Sequence, residues 1–279
     1  LIQYRGPDNS KYKSFDNNVL FGFHRLSIVG ISDMGNQPLF HPEDKNLSLI
    51  CNGEIYNYKK LAEKYNFNLK TGSDCEIILH LYKRFGIEKT VRMLDGVFMF
   101  VLYDIKKNIF LSARDPFGVR PGFIGFDEED IYISSEAKPL IKHCNKIIPF
   151  KPGTWFSSNK INQFNPFYEL KFQNYSDLNL IYKNINNLLT QSVIKRLMSD
   201  RKIGCLLSGG LDSSLIAALV AKYGNSSNLD TFSIGMPGSV DLHYANIVAK
   251  HIGSNHHHVE ISAQDFLNSI EEVIYKIES

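Results

Sequence analysis

Through the first 165 or so residues the apolar positions come in short runs broken by Gly, Asn and Asp. "NLSLICNGEIYNY", "VFMFVLYD", "NIFLSARD" and "DIYISSE" combine β-branched and aromatic residues between turn formers, the pattern of strands. Two stretches, 57–65 and 74–85, instead have helical spacing, the second through Ile77, Ile78, Leu81 and Tyr82. This half is predicted to be α+β with much antiparallel sheet. Residues 157–179 are rich in Asn, Ser, Lys and Gln, a composition that buries little surface, so the chain is expected to divide there into domains over 1–168 and 175–279. Beyond the connector, Leu178, Ile181, Ile185, Leu188, Leu189, Val193, Ile194 and Leu197 form one stripe at spacings of three and four, which predicts a helix. Strand and helix then alternate: "KIGCLL", a helix over 212–222, "DTFSIGM", a helix over 242–252, "HHVEI", and a helix over 263–275. That alternation predicts right-handed crossovers and an α/β doubly wound parallel sheet. No internal repeat is visible.

Composition narrows the function classes. The 279 residues, 43% hydrophobic and 12% aromatic, suffice for two cores. With 31 basic against 29 acidic residues and no block of like charge, no nucleic acid or membrane partner is indicated. The longest apolar run, 97–103, is far short of the roughly 20 residues of a membrane span, and no signal pattern opens the chain, so a cytosolic, cytoplasmic location is expected. Cys51, Cys75, Cys144 and Cys205 lack CxxC spacing, which points to a reducing compartment and no structural metal. His256, His257 and His258 fall on a predicted strand, where consecutive side chains face opposite ways and cannot converge on one ion.

The stretch "LLSGGLDSS" at 206–214 links a predicted strand to a helix. Gly209 and Gly210 allow close backbone approach, and the free amides of the helix start carry partial positive charge, so an anion site is expected. A Walker loop would carry a lysine for the β and γ phosphates, and here there is none. Asp212 beside phosphates calls for an intervening cation, most simply Mg2+, and the departing group would then be pyrophosphate. The plain alternative is a turn followed by an N-cap aspartate.

"SGGLDSS" resembles the pyrophosphatase loop of adenylate-forming amidotransferases, and with "FSIGMPGSVDL" it is similar to the asparagine synthetase family. That resemblance implies ATP and Mg2+, formation of β-aspartyl-adenylate from aspartate, and its displacement by ammonia. It places Leu207 and Ile234 at the adenine nucleoside, and Ser208, Gly209, Gly210, Asp212 and Ser213 around pyrophosphate and Mg2+, with Asp212 on the metal. The first half resembles class II, N-terminal-nucleophile glutaminases through "RGPD", "HRLSIVG", "QPL", "NGEIYNY", "SDCEIIL", "LDGVFMF", "ARDPFGVRP" and "SSEAKPL". By that resemblance Arg25 binds the glutamine carboxylate, Glu54 and Asp74 serve the ammonium and nearby backbone, and Asn52 and Gly53 form the oxyanion hole. Taken singly, Arg25 could be a surface ion pair, Asn52-Gly53 a hairpin turn and Asp74 an N-cap.

The family's nucleophile is an N-terminal cysteine upstream of "RGPD", whereas this sequence starts at Leu1, and Cys51 and Cys75 read as packing residues. The family also continues beyond the counterpart of "VIYKIES". A fragment of a longer enzyme is therefore expected, one that releases no glutamate from glutamine. Another adenylating synthetase, of the β-lactam-forming type, or an inactive nucleotide-binding module stays open as an alternative, and the resemblance suggests a homodimer.

Overall fold

The structure, a computed structural model, describes residues 1–16, 18–128, 130–161, 163–224 and 228–278, in two units, Leu1–Phe172 and Gln173–Ser279. In chain order the first unit holds β1 (Asn9–Phe15), β2 (Val19–Arg25), β3 (Leu39–His41), β4 (Asp44–Ile55), α1 (Tyr58–Tyr65), α2 (Glu76–Met93), β5 (Gly96–Asp104) and β6 (Ile109–Arg114). It continues with β7 (Phe123–Phe126), β8 (Ile131–Ser134), β9 (Lys146–Pro149), β10 (Thr154–Ser157) and β11 (Phe164–Pro166).

The longest apolar run becomes β5, at the centre of a six-stranded antiparallel sheet ordered β11-β10-β6-β5-β4-β3. It is buried from Val97 to Asp104, which is why its sequence is apolar on both faces rather than alternating. Around it, Leu49, Ile55, Phe98, Phe100 and Leu102 are closed to solvent together with Ile77, Ile78, Leu79 and Leu81 of α2. The start of α2 is thus packed on every side, and an apolar stripe underestimates its burial. The expected end of this helix near residue 85 coincides with a kink at Gly86 (φ 77°, ψ 173°), beyond which the chain resumes a helical course to Met93. The hairpin β1–β2 and the sheet β8-β7-β9 complete the unit.

The second unit holds α3 (Leu178–Arg196), β12 (Gly204–Leu206), α4 (Leu211–Tyr223), β13 (Asp230–Gly235), α5 (Val240–Ile252), β14 (Asn255–Glu260) and α6 (Ala263–Ile277). Asp177, Ser239 and Ser262 accept backbone N–H bonds at the starts of α3, α5 and α6, and Ser262 with Asp265 forms a capping box. The strands are parallel and ordered β12-β13-β14, as the alternation of elements predicts. All three advance across the sheet in one direction, so the reversal of order that defines a doubly wound sheet is not among them. Leu207, Ala217, Ala245 and Ala249 pack one face, where Thr231 is also buried. On the other face Phe232, Ile234 and Val259 are exposed. The predicted stripe of α3 is buried at Val193, while Leu178, Ile185 and Leu188 are exposed.

His256 and His257 point to opposite faces of β14, as strand geometry requires. His256 bonds Thr231 Oγ1 at 2.9 Å and Ser233 Oγ at 3.1 Å, while His257 Nε2 lies 3.1 Å from Asp230 Oδ1. Among the described residues no group of three or more His, Cys, Asp or Glu is placed to hold a metal ion. No helix of the described residues is long and apolar enough to cross a membrane.

Candidate functional site

In the first unit the "NGE" stretch lies inside β4, not at a turn: Asn52 pairs with Met99 and Gly53 with Phe98. Phe98 spends its own N–H and C=O on Asp115, at 3.2 Å and 2.8 Å. Gly53 therefore sits at a non-hydrogen-bonded position, and antiparallel alternation turns its N–H away from β5. The neighbours of like parity confirm the direction. Cys51 exchanges both backbone bonds with the Gln37 amide (2.6 and 3.0 Å), and Ile55 N–H donates to Asp74 Oδ2 at 2.6 Å. A side chain at Gly53 would meet the Val97 carbonyl at 2.1 Å, so only glycine fits this approach of β4 to β5.

A cavity of about 510 Å3 opens on this edge, lined by Arg25, Asn52, Gly53, Glu54, Asp74 and Arg120, among others. Three separate stretches of sequence thus deliver their predicted residues to one place, and a fourth adds Arg120. Asp74 is not an N-cap: Cys75 holds that position, and the Asp74 carboxylate turns back to β4. Burial pushes its carboxyl up to about 6; the bond from Ile55 opposes the shift, and the charge of Glu54 adds to it. The adjoining Glu76 is fully buried and ties down the loop before Asp74, accepting from Lys70 N, Thr71 N, Thr71 Oγ1 and His80 Nε2. Burial alone would raise Glu76, but those bonds outweigh it and hold its carboxyl at about 2.

Arg25 is 6% exposed, which removes the reading of a surface ion pair. Its two Nη atoms donate to Ser32 O, Asn36 Oδ1 and Gly30 O, so the guanidinium organises the loop 26–36 while lining the cavity. Burial lowers its pKa, opposed by Asp8. The partner of Glu54 was not singled out from sequence: Arg120 Nη2 donates to both carboxylate oxygens, at 2.7 and 2.6 Å. Arg114 and Asp115 shape the loop that presents it, Arg114 by bonding the carbonyls of Gly118, Arg120 and Phe150, and Asp115 by accepting from Phe117, Val119 and Arg120. The available signal was electrostatic, since a recessed Glu54 requires a cation, and "ARDPFGVRP" supplies it. Among the described residues Asn52 Nδ2 makes only a long 3.4 Å bond to Ser135 Oγ, and it lines the cavity.

In the second unit Gly210 is the N-cap of α4 and Asp212 lies in its first turn, so Asp212 is not the cap. Ser208 and Ser213 bond each other through their hydroxyls at 2.9 Å, and Ser213 Oγ also bonds Gly210 O. Gly209 has φ +79°, and a Cβ there would lie 2.4 Å from Ala245 N. Gly209→Ala is expected to cost the second unit at least about 2 kcal/mol, which urea unfolding checks. Leu207 faces the core. Its side chain is 1% exposed and packs in the core, because strand alternation turns Leu206 outward (83% exposed), on the face of Phe232 and Ile234. The Leu207 N–H is spent on the Phe232 carbonyl at 2.7 Å, whereas Ile234 has an exposed side chain. Ser208, Gly209, Gly210, Asp212 and Ser213 do share one loop and helix start, and Ser214 Oγ is buried there without a hydrogen-bond partner among the described residues.

One unit thus carries a pocket at an open stretch of an antiparallel sheet, and the other a strand–glycine loop–helix connection on a parallel one. The chain belongs to the glutamine amidotransferase domain family, whose model matches residues 1–201. Residues 184–279 match the model described as asparagine synthase. Over its full length the chain is 41% identical to asparagine synthetase [glutamine-hydrolyzing] of Gallus gallus and 40% identical to asparagine synthetase [glutamine-hydrolyzing] 1 of Arabidopsis thaliana. It covers 55% and 49% of those proteins, and so spans about half the length of the curated relatives it matches. A solved glutamine phosphoribosylpyrophosphate amidotransferase from B. subtilis aligns over 90% of this chain and 56% of its own, at 18% identity and TM-score 0.48.

Proposed function

We propose that this chain forms the glutamine site and the ATP-binding part of a glutamine-dependent asparagine synthetase, a cytoplasmic enzyme. Residues 1–168 are the glutaminase domain, of the N-terminal-nucleophile type, and 175–279 belong to a doubly wound synthetase domain. The observation that carries the reading is the convergence of Arg25, Asn52, Gly53, Glu54 and Asp74 on one cavity. Glu54 and Asp74 present carboxylates to the α-ammonium of glutamine, and Arg25 lies beside them for the α-carboxylate. Asn52 Nδ2 and the outward N–H of Gly53 are the donors for the oxyanion, each worth about 3 kcal/mol of transition-state stabilisation. Neither Cys51 nor Cys75 serves as nucleophile. The Cys75 thiol is pushed well above its usual range by its hydrogen bond with Cys51 and by burial.

In the second unit, the α4 N-terminus and the hydroxyls of Ser208 and Ser213 suit the pyrophosphate of ATP, with Ile234 and, by the family resemblance, Leu207 beside the nucleoside. The donor set fits Mg2+: Asp212 would hold it, and it would supply charge neutralisation between that carboxylate and the phosphates. Ammonia freed in the first unit displaces AMP from β-aspartyl-adenylate, giving asparagine. A homodimer is the assembly we infer for the parent protein from the family resemblance.

Calorimetric titration of the chain with L-glutamine tests the first half, with D-glutamine and L-asparagine as controls. Binding of L-glutamine alone is expected, and equal binding of the D isomer would overturn the site. For the second half, ATP–pyrophosphate exchange on a chain of the relatives' length is expected with aspartate. Exchange with other carboxylic acids and not with aspartate would assign a different adenylating synthetase.

A further inference from the structure

The glutamine cavity is also lined by Arg120, whose guanidinium is only partly used. Its Nη2 reaches both oxygens of Glu54, at 2.7 and 2.6 Å. Its Nε is buried without a hydrogen-bond partner among the described residues, and no described residue bonds its Nη1. The side chain nonetheless keeps 30% of its surface open. The backbone beneath it is held from both sides: Arg120 N donates to Asp115 Oδ2 at 3.0 Å, and Arg120 O accepts from Arg114 Nε at 2.7 Å. A cation so firmly placed, with most of its donors unmatched, has capacity for a second partner.

Arg25 stands differently. Both of its Nη atoms are committed to the loop 26–36, on the carbonyls of Val29, Gly30 and Ser32 and on Asn36 Oδ1. Nε is the donor it has left, so Arg25 brings charge to a carboxylate but not a two-armed grip.

We propose that Arg120 is a specificity residue of this site, whose Nη1 takes the α-carboxylate of glutamine while its Nη2 holds Glu54 toward the α-ammonium. This rests on the reading of the cavity as the glutamine site. Glutamine carries its two charges on one carbon, so the protein groups that meet them must also be close neighbours of opposite sign. Glu54 and Arg120 are such a pair. Laid head to tail against it, the amino acid brings each of its charges to an opposite one, and that attraction is strongest in a recess shielded from water. The guanidinium allows the double use because its two terminal nitrogens offer separate donors in one rigid plane, whereas a lysine has a single nitrogen. The consequence is selection by charge: a ligand whose carboxylate is removed or tied up in an amide keeps Glu54 and loses Arg120.

The test compares L-glutamine with 4-aminobutanamide, which lacks only the α-carboxylate, by calorimetric titration at pH 7.5 with ligand-observed NMR for weak binding. The readout is the preference for L-glutamine over the truncated compound. In Arg120→Gln that preference is expected to fall at least tenfold, the scale of one charge-assisted hydrogen bond. Both ligands carry the ammonium, so a change in how Glu54 meets it cancels in the ratio. Repulsion of the carboxylate by an unpaired Glu54 is removed in the Glu54→Gln background, where adding Arg120→Gln is expected to lower the preference at least tenfold again. Arg120→Lys keeps a charge beside Glu54 and guards against a mere failure to fold; without the second arm, its preference is expected to fall at least threefold. A preference unchanged in Arg120→Gln overturns the proposal and leaves the carboxylate to Arg25. Equal weakening of both ligands also overturns it, since that marks a structural role alone, and so does a full preference in Arg120→Lys. A parent chain that binds no L-glutamine takes down the glutamine reading and this proposal with it. A parent chain that binds L-glutamine, and whose preference survives Arg120→Gln, takes down this proposal alone.

Discussion

Asp74→Asn is expected to abolish glutamine binding while making the unliganded chain more stable at neutral pH. The Asp74 carboxyl sits at about 6 when folded, against 3.8 for the ordinary group, because burial disfavours its charge. The folded chain therefore holds a proton that the unfolded chain has released between those values. The contribution of this carboxyl to stability is fully present below pH 3.8, declines as pH rises to about 6, and stays lost above it. The full difference is roughly 3 kcal/mol, of which up to about 2 kcal/mol is recoverable by a neutral residue. Asparagine keeps an oxygen for the Ile55 N–H and carries no charge to desolvate. Urea unfolding at pH 4 and 7.5 should show the variant gaining only at the higher value. Calorimetry should show glutamine affinity falling at least a hundredfold, the scale of removing one partner from a buried charge pair. In the parent chain, glutamine affinity should climb as pH passes through about 6, because the ammonium requires the carboxylate form.

Glu76→Gln is expected to be the most damaging single exchange in the first unit, although Glu76 does not line the cavity. Its carboxyl sits at about 2 in the folded chain against 4.5 for the ordinary group. The folded form is thus favoured by ionisation above pH 4.5, and that contribution drains away as pH falls toward 2. It amounts to roughly 3 kcal/mol. A glutamine amide would turn an NH2 toward backbone donors at Lys70 and Thr71 that now point at carboxylate oxygens, and it would lose the pairing with His80. A loss of about 3 kcal/mol at pH 7 is expected, smaller at pH 3, where the parent chain is itself weakened. Denaturant midpoints at the two pH values check this, and an equal loss at both would refute the ionic account.

What could be read from the sequence depended on whether neighbours along the chain or across the fold decide the structure. The β5 run, the α1 stretch and the βαβ alternation are local patterns and appear where predicted. Asn52-Gly53 is the opposite case. The dipeptide alone favours a hairpin, and only pairing with a strand more than forty residues away makes it mid-strand. The hairpin β1–β2 escaped notice because "NSKYKSF" is mostly exposed and carries little apolar signal. Family resemblance named Arg25, Glu54 and Asp74, but not the use of Arg25 donors by the loop 26–36 or the ion pair of Glu54 with Arg120. Those contacts join segments 5 to 66 residues apart, and no spacing rule reports them. Leu206 and Leu207 show a finer limit: a one-residue step along a strand exchanges surface for core, and composition cannot tell which of two adjacent leucines faces out.

The cavity draws its walls from the N-terminal segment, β2 and the loop after it, β4, the start of α2, the loop after β6 and the segment after β8. Those walls are tied to one another through Arg25, Asp74 and Arg120, so a ligand held by all of them is coupled to the fold of the whole unit. Occupancy should consequently register as a shift in the cooperative unfolding of all of Leu1–Phe172, about 2.7 kcal/mol at a hundred times the dissociation constant. Heat resistance of that unit then becomes a direct gauge of amino-acid occupancy, usable for screening compounds against the site without any turnover assay.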